Sequence, residues 1–309
     1  MEGLVEDSDG LVWRKVLLSV GFVDADIARS VRAGRLLKVW PGVYVDTTVK
    51  RTPDELRRLR VVAAARSCSQ PFVIGYQSAG LIHSIPLLKP DHTKVHLISG
   101  RIGGGRLESK RHIHGFVLSE GETCDVGGMA VTSVARTAVD VARSGTFDQA
   151  LTAFDSALRM GCNLPEMNDV LESMRGKHGL QTAQRALVAA DRLSETVGES
   201  WSRAQMLACS DIPVPVLQCR FFDEGGRFVA RPDFEWEGRL AGEFDGLVKY
   251  GGGSMTPGLT PSDVVIAEKI REDRLRQMGV EVVRWVWADL QAGRLPSILR
   301  RALARAGLI

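Results

Sequence analysis

Several things are scarce in this chain. The five cysteines, Cys68, Cys124, Cys162, Cys209 and Cys219, are odd in number and scattered, with no Cys-x-x-Cys pair. That argues against a disulfide framework and a cysteine-built zinc site, and for reduced thiols in a cytoplasmic setting. No apolar run approaches the ~18 residues a membrane span needs, so no membrane association is expected. The opening Met1-Glu2-Gly3 lacks the basic start of a secretory signal. The net charge is only +3 over 309 residues, which neither demands nor forbids a nucleic-acid partner. No internal repeat or long low-complexity tract is present. The glycines of Gly100-Arg101-Ile102-Gly103-Gly104-Gly105 precede no Gly-Lys-Ser/Thr, so they read as a loop and not as a phosphate cradle.

What the chain does have is a crowded acidic hairpin. From Arg231-Pro232-Asp233 to Glu243-Phe244-Asp245-Gly246 the residues alternate, turn at Glu237-Gly238-Arg239, and alternate again. With Gly238 at the centre, Asp233 faces Glu243, and such partners have Cβ atoms about 4.5–5.5 Å apart. The two-residue period puts Asp233, Glu235, Glu243 and Asp245 on one face and Phe234, Trp236 and Phe244 on the other. Carboxylates held this close repel unless a cation sits among them, and hard oxygen ligands suit Mg²⁺ or Mn²⁺. The alternative is a solvated acidic face on an edge hairpin.

Around this hairpin the chain reads as an α/β protein of several domains: 1–50, 51–190 and 191–309. The first reads as a helix at 11–20, a second at 25–33 with Asp24 as N-cap and Gly34 as stop, then strands on either side of Pro41-Gly42. Arg29, Arg32, Arg35 and Lys38 cluster there, suited to phosphate contacts. The second is mixed. Thr52-Pro53-Asp54-Glu55 starts a helix, 72–74 and 95–98 are short strands, and Arg136 and Asp140 form an i,i+4 pair on a helix surface. His112 and His114 could ligate a metal, but no cysteine or carboxylate stands at ligand spacing. In the third, 194–209 is a helix carrying Glu199, with Trp201, Ala204, Leu207 and Ala208 available for packing. Strands follow at 213–218, 228–234 and 240–245, then a helix to Met278 and a strand at 281–287.

Two resemblances follow from these residues. Pro232-Asp233, followed by Glu243-Phe244-Asp245-Gly246, resembles the PD-(D/E)XK nuclease core, especially its very-short-patch-repair-like branch. The likeness covers most of 195–290. It implies a restriction-endonuclease-like fold and Mg²⁺-dependent (or Mn²⁺-dependent) phosphodiester hydrolysis, with Asp233 and Glu243 holding the ion, the Phe244 carbonyl as a further ligand, and Glu199 orienting water or a second ion. The family's lysine would stand at 245, where this chain has Asp245. Lys249, Lys269 or Arg271 could supply the charge, or Asp245 could itself be a ligand. Separately, Ala33-Gly34-Arg35-Leu36-Leu37-Lys38-Val39-Trp40-Pro41-Gly42-Val43-Tyr44-Val45 resembles the winged helix-turn-helix of AbiEi-type antitoxins, which are transcriptional autorepressors. Ser78-Ala79-Gly80-Leu81-Ile82-His83 and 131–140 resemble their middle region. This implies DNA binding through Arg29, Arg32, Arg35 and Lys38; the alternative use of that half is docking a protein partner. The expected function is a DNA-directed nuclease with a DNA-binding module, or else a non-catalytic regulator that keeps the nuclease fold as a scaffold.

Overall fold

The computed structural model describes residues 6–103, 105–246 and 261–309, except the side chains of 261–268. The protein is mixed α/β. It divides into two units, Met1–Ile85 with Lys89–Val141, and Pro86–Leu88 with Ala142–Ile309.

In the first unit, β1 (Val12–Trp13) leads into α1 (Arg14–Ser19) and α2 (Asp24–Arg32), then the hairpin β2 (Leu36–Trp40) and β3 (Val43–Asp46). The three strands form an antiparallel sheet in the order β1-β3-β2. The first helix begins later than expected because Leu11 and Val12 are buried in extended conformation. The N-cap of α2 is Val23, not Asp24. Asp24 is the first helical residue and pairs with Arg14 at 2.6 Å, while Asp26 accepts from the Val23 N–H at 3.2 Å. The inner face of α2 sets Ile27 against Leu17, Leu36 and Tyr44.

Next comes α3 (Pro53–Arg66), started by Thr52, whose hydroxyl accepts from the Glu55 N–H, with proline in the first turn. Then follow β4 (Val73–Ile74), α4 (Tyr76–His83), β5 (Val95–Ile98), β6 (Arg106–Leu107), β7 (Arg111–His114), β8 (Thr123–Val126), β9 (Met129–Thr132) and α5 (Val134–Ser144). The strands form one sheet in the order β6-β7-β5-β4-β9-β8, with β5–β7 and β4–β9 parallel. One core runs from Leu11, Trp40 and Val43 to Leu59, Leu97 and Val131, so packing marks no boundary at residue 50. Arg136 does pair with Asp140, at 2.9 Å, but not on a surface. Both are buried, and Arg136 also reaches buried Glu122 at 2.8 Å. A second carboxylate helps offset the cost of taking the guanidinium out of water.

The second unit opens with α6 (Phe147–Arg159), α7 (Leu164–Ser173), α8 (Leu180–Val188) and α9 (Val197–Leu207). Buried Asp155 on α6 binds Arg203 of α9 at 3.0 Å and accepts from the Asp191 N–H at 2.8 Å; Asp148 accepts from the Trp201 indole at 2.8 Å. These bonds attach α6 to α9 and carry the unit back past the expected boundary at 190. Trp201 and Ala204 are buried, whereas Leu207 and Ala208 are exposed.

The rest comprises β10 (Val216–Leu217), β11 (Phe221–Phe222), β12 (Phe228–Ala230), β13 (Phe234–Trp236), β14 (Leu240–Asp245), α10 (Pro261–Gln277), β15 (Glu281–Val286), α11 (Trp287–Gln291) and α12 (Leu295–Arg305). The expected strand at 228–234 is two strands. It breaks at Arg231-Pro232-Asp233, where proline has no N–H for a ladder. β12 pairs with β11 in a separate ribbon, while β13 joins the sheet β10-β13-β14-β15. The β13–β14 pair is antiparallel and β14–β15 parallel. Fully buried Trp285 on β15 lies 5.3 Å from Phe234, centroid to centroid, and its indole donates to Ser202 of α9 at 2.7 Å. Gly242 leaves room for Trp285 and Trp236, either of which a Cβ would meet at 3.0 Å or less. Among the described residues, no helix is long and apolar enough to cross a membrane.

Candidate active site

The hairpin has the register its turn requires: Phe234 faces Gly242, Glu235 faces Ala241 and Trp236 faces Leu240. Glu237 and Gly238 both take left-handed conformations at the tip. One residue further out, Asp233 and Glu243 line a cleft of about 480 Å³, with Glu199, Asp245, Arg231, Arg271 and Trp287 also on its walls. Glu235 is not on that wall. It is buried and accepts from the Gly238 N–H, so it closes the turn instead of joining the other acids.

Glu199 reaches the cleft because α9 lies very close to β14. A Cβ on Gly198 would overlap the Phe244 ring. Thr196 caps the helix, accepting from the Glu199 N–H at 3.2 Å and donating to Glu199 Oε1 at 2.8 Å; the Glu195 N–H donates to Oε2 at 2.8 Å. Burial, and then the neighbouring Asp233 charge, push the Glu199 carboxyl up to about 7. Asp233 accepts from the Phe244 N–H at 2.8 Å. Between these acids stands Gln218, whose amide donates to Glu199 at 3.1 Å and to Asp233 at 3.4 Å. Its N–H also donates to the Asp233 carbonyl. Nothing in the sequence marks Gln218; it follows β10, and only tertiary placement makes it a bridge.

Glu243 is raised too, chiefly by burial, which the arginines beside it oppose. Arg284 of β15 lies 2.9 Å from Glu243, 3.8 Å from Asp245 and 3.6 Å from Glu272, and Arg271 of α10 lies 3.9 Å from Glu243. The parallel register sets Arg284 directly beside Glu243. A positive charge thus lies beside Glu243 and Asp245, on the next strand. Of the other candidates, Lys269 is exposed on α10 and Lys249 lies outside the described residues.

The donor set is oxygen alone, and burial, followed at Glu199 by the Asp233 charge, raises two of its carboxyls. Both features fit a hard divalent cation. The oxygens of Glu199, Asp233 and Glu243 do not all lie within 4.8 Å of one another, and Glu243 pairs with Arg284. In the first unit, one ring nitrogen from each of His96, His112 and His114 does meet that distance. Burial pushes His96 down to about 4 and lowers His112. Arg29, Arg32, Arg35 and Lys38 are all exposed; Arg29 pairs with Asp26 at 3.1 Å.

No family model matches the chain. It is 29% identical over 290 residues to an uncharacterized protein, Rv2248, of Mycobacterium tuberculosis strain H37Rv, and equally to MT2308 of strain CDC 1551, covering 89% of this chain and 95% of each relative. Among solved structures, the RV2827C protein of Mycobacterium tuberculosis aligns at a TM-score of 0.40 and 14% identity, over 69% of this chain and 83% of its own.

Proposed function

We propose that the second unit is a metal-dependent nuclease acting on DNA, and that the exposed basic residues of α2 and β2 hold the nucleic acid. The observation that carries this reading is the meeting of Glu199, Asp233 and Glu243 on one cleft, with Gln218 bonded to two of them. These acids come from a helix, the residue that precedes β13, and β14, and a scaffold has no evident need to crowd them.

Asp233 and Glu243 would hold Mg²⁺ or Mn²⁺, with Asp245 at the rim. Once bound, the ion supplies Lewis-acid charge at the phosphate and makes water a better nucleophile at neutral pH. Glu199 would orient a bound water or a second ion, the role that the resemblance implies. Arg284 and Arg271 offer positive charge to the scissile phosphate, the task that lysine performs in the resembled family. When Glu243 turns to a cation, Arg284 keeps Glu272 and Asp245 as partners. A nuclease tethered to its own DNA-binding module gains local substrate concentration.

The second reading is a DNA-binding regulator of antitoxin type with the nuclease fold as scaffold. It draws support from the Arg284–Glu243 pair, which neutralises a would-be ligand. Incubation of purified protein with supercoiled plasmid in Mg²⁺, Mn²⁺ or EDTA, with Asp233→Ala alongside, separates the two. The nuclease gives metal-dependent nicking that the variant loses. No nicking, with salt-sensitive gel shifts of DNA from upstream of its own gene, favours the regulator.

A further inference from the structure

We propose that His96, His112 and His114 bind a divalent transition ion of the Zn²⁺ class on one face of the six-stranded sheet. β5 and β7 run parallel, and their register puts His96 directly beside His112. His114 is two residues further along β7, so it projects from the same face as His112. The His96 Nδ1 and His114 Nε2 are 3.0 Å apart, and one nitrogen from each of the three rings falls within 4.8 Å of the others. Imidazole ligands bind zinc at about 2.0–2.1 Å, which in a tetrahedral site puts them roughly 3.3 Å from one another. Side-chain torsions alone can close that difference.

The rings are held in place. Tyr76 of α4 stacks on His114 at a centroid distance of 4.0 Å and tilts against His96 at 5.3 Å. All three histidines are half-buried, so an ion can reach them while the sheet fixes their backbones. Neutral imidazoles suit zinc, copper and nickel, whereas magnesium prefers oxygen donors. Three protein ligands leave a fourth position for water. The competing account is a stacked imidazole–tyrosine ladder that only packs, for which the 3.9 Å separation of the His112 and His114 rings is sufficient. Sequence spacing hid the site because the third ligand lies on another strand.

Full-length protein stripped with chelator and titrated calorimetrically with Zn²⁺ distinguishes the two accounts. With excess Mg²⁺ present to fill the oxygen donors of the acidic cleft, the histidine site takes up one Zn²⁺ per chain. His96→Gln and His112→Gln, each checked for folding by circular dichroism, weaken uptake by about 100-fold or more, whereas exposed His178→Gln leaves it unchanged. Co²⁺ bound to the unaltered protein gives the visible absorption of a low-coordinate nitrogen site, a readout that needs no variant. Absence of stoichiometric uptake, absence of that absorption, or full uptake in both folded histidine variants overturns the proposal.

Discussion

Two clusters of potential metal ligands can be set side by side. In the second unit, Asp233 and Glu243 come from a tight hairpin, and Glu199 joins them from a helix that Gly198 lets approach. In the first, His96 comes from one strand of a parallel pair and His112 and His114 from the other. In the oxygen cluster Glu243 pairs with Arg284; in the nitrogen cluster two rings are in hydrogen-bond contact. Like-charged ligands need cations before they converge, whereas neutral ones can pack in advance. The tighter cluster is thus not automatically the catalytic one.

The largest expected effect is on chemistry. Asp233→Ala should lower plasmid cleavage in Mg²⁺ by about 100-fold or more, because a ligand of the charge-stabilising ion is lost. Retained cleavage in that variant would dissolve the contrast between the clusters.

Glu199 sharpens the contrast through pH. Its carboxyl holds a proton more tightly in the folded chain, at about 7, than at the ordinary 4.5. Its contribution to stability is therefore full below about pH 4.5 and is lost as pH rises through 7. Without metal, Glu199→Gln should be more stable than the unaltered protein at pH 8, by up to about 3 kcal/mol, with the gap closing in acid. Melting curves across pH, with and without Mg²⁺, test this; a gap independent of pH would show that burial beside Asp233 does not raise the Glu199 carboxyl.

Gly198→Ala should cost about 1–3 kcal/mol of stability, since its methyl group meets the Phe244 ring, and should lower cleavage by moving Glu199. Unchanged melting and activity would mean that the close approach of α9 to β14 is unimportant. The smallest effect is at the far end of the chain. Arg32→Ala with Arg35→Ala should weaken DNA retention and reduce the salt slope by about 2, while cleavage at saturating DNA persists.

How much of this was legible in the sequence varied with distance along the chain. The hairpin could be read because its pattern is local: a turn at Gly238 and alternating residues fix the register that pairs Phe234 with Gly242. Even there Glu235 was misplaced, since a buried carboxylate closing its own turn looks like any other acid in an alternating pattern. Gln218 and the role of Arg284 were invisible, because each depends on which strands become neighbours. His112 and His114 stand close together in the sequence, but His96 joins them only because β5 lies beside β7. The buried Arg136–Asp140 pair showed the same limit, as i,i+4 spacing does not say which face of a helix is covered. The helices of 147–190 fell to the second unit through Asp155 and Arg203, a link with no sequence signature.

The measurement that tests the central claim most directly is plasmid cleavage in Mg²⁺ by three proteins side by side: the unaltered chain, Asp233→Ala, and a variant carrying His96→Gln with His112→Gln. The account gives metal-dependent cleavage by the first and third and none by the second. Cleavage that survives Asp233→Ala, or that disappears in the folded histidine variant alone, would contradict it and move the chemistry out of the acidic cleft.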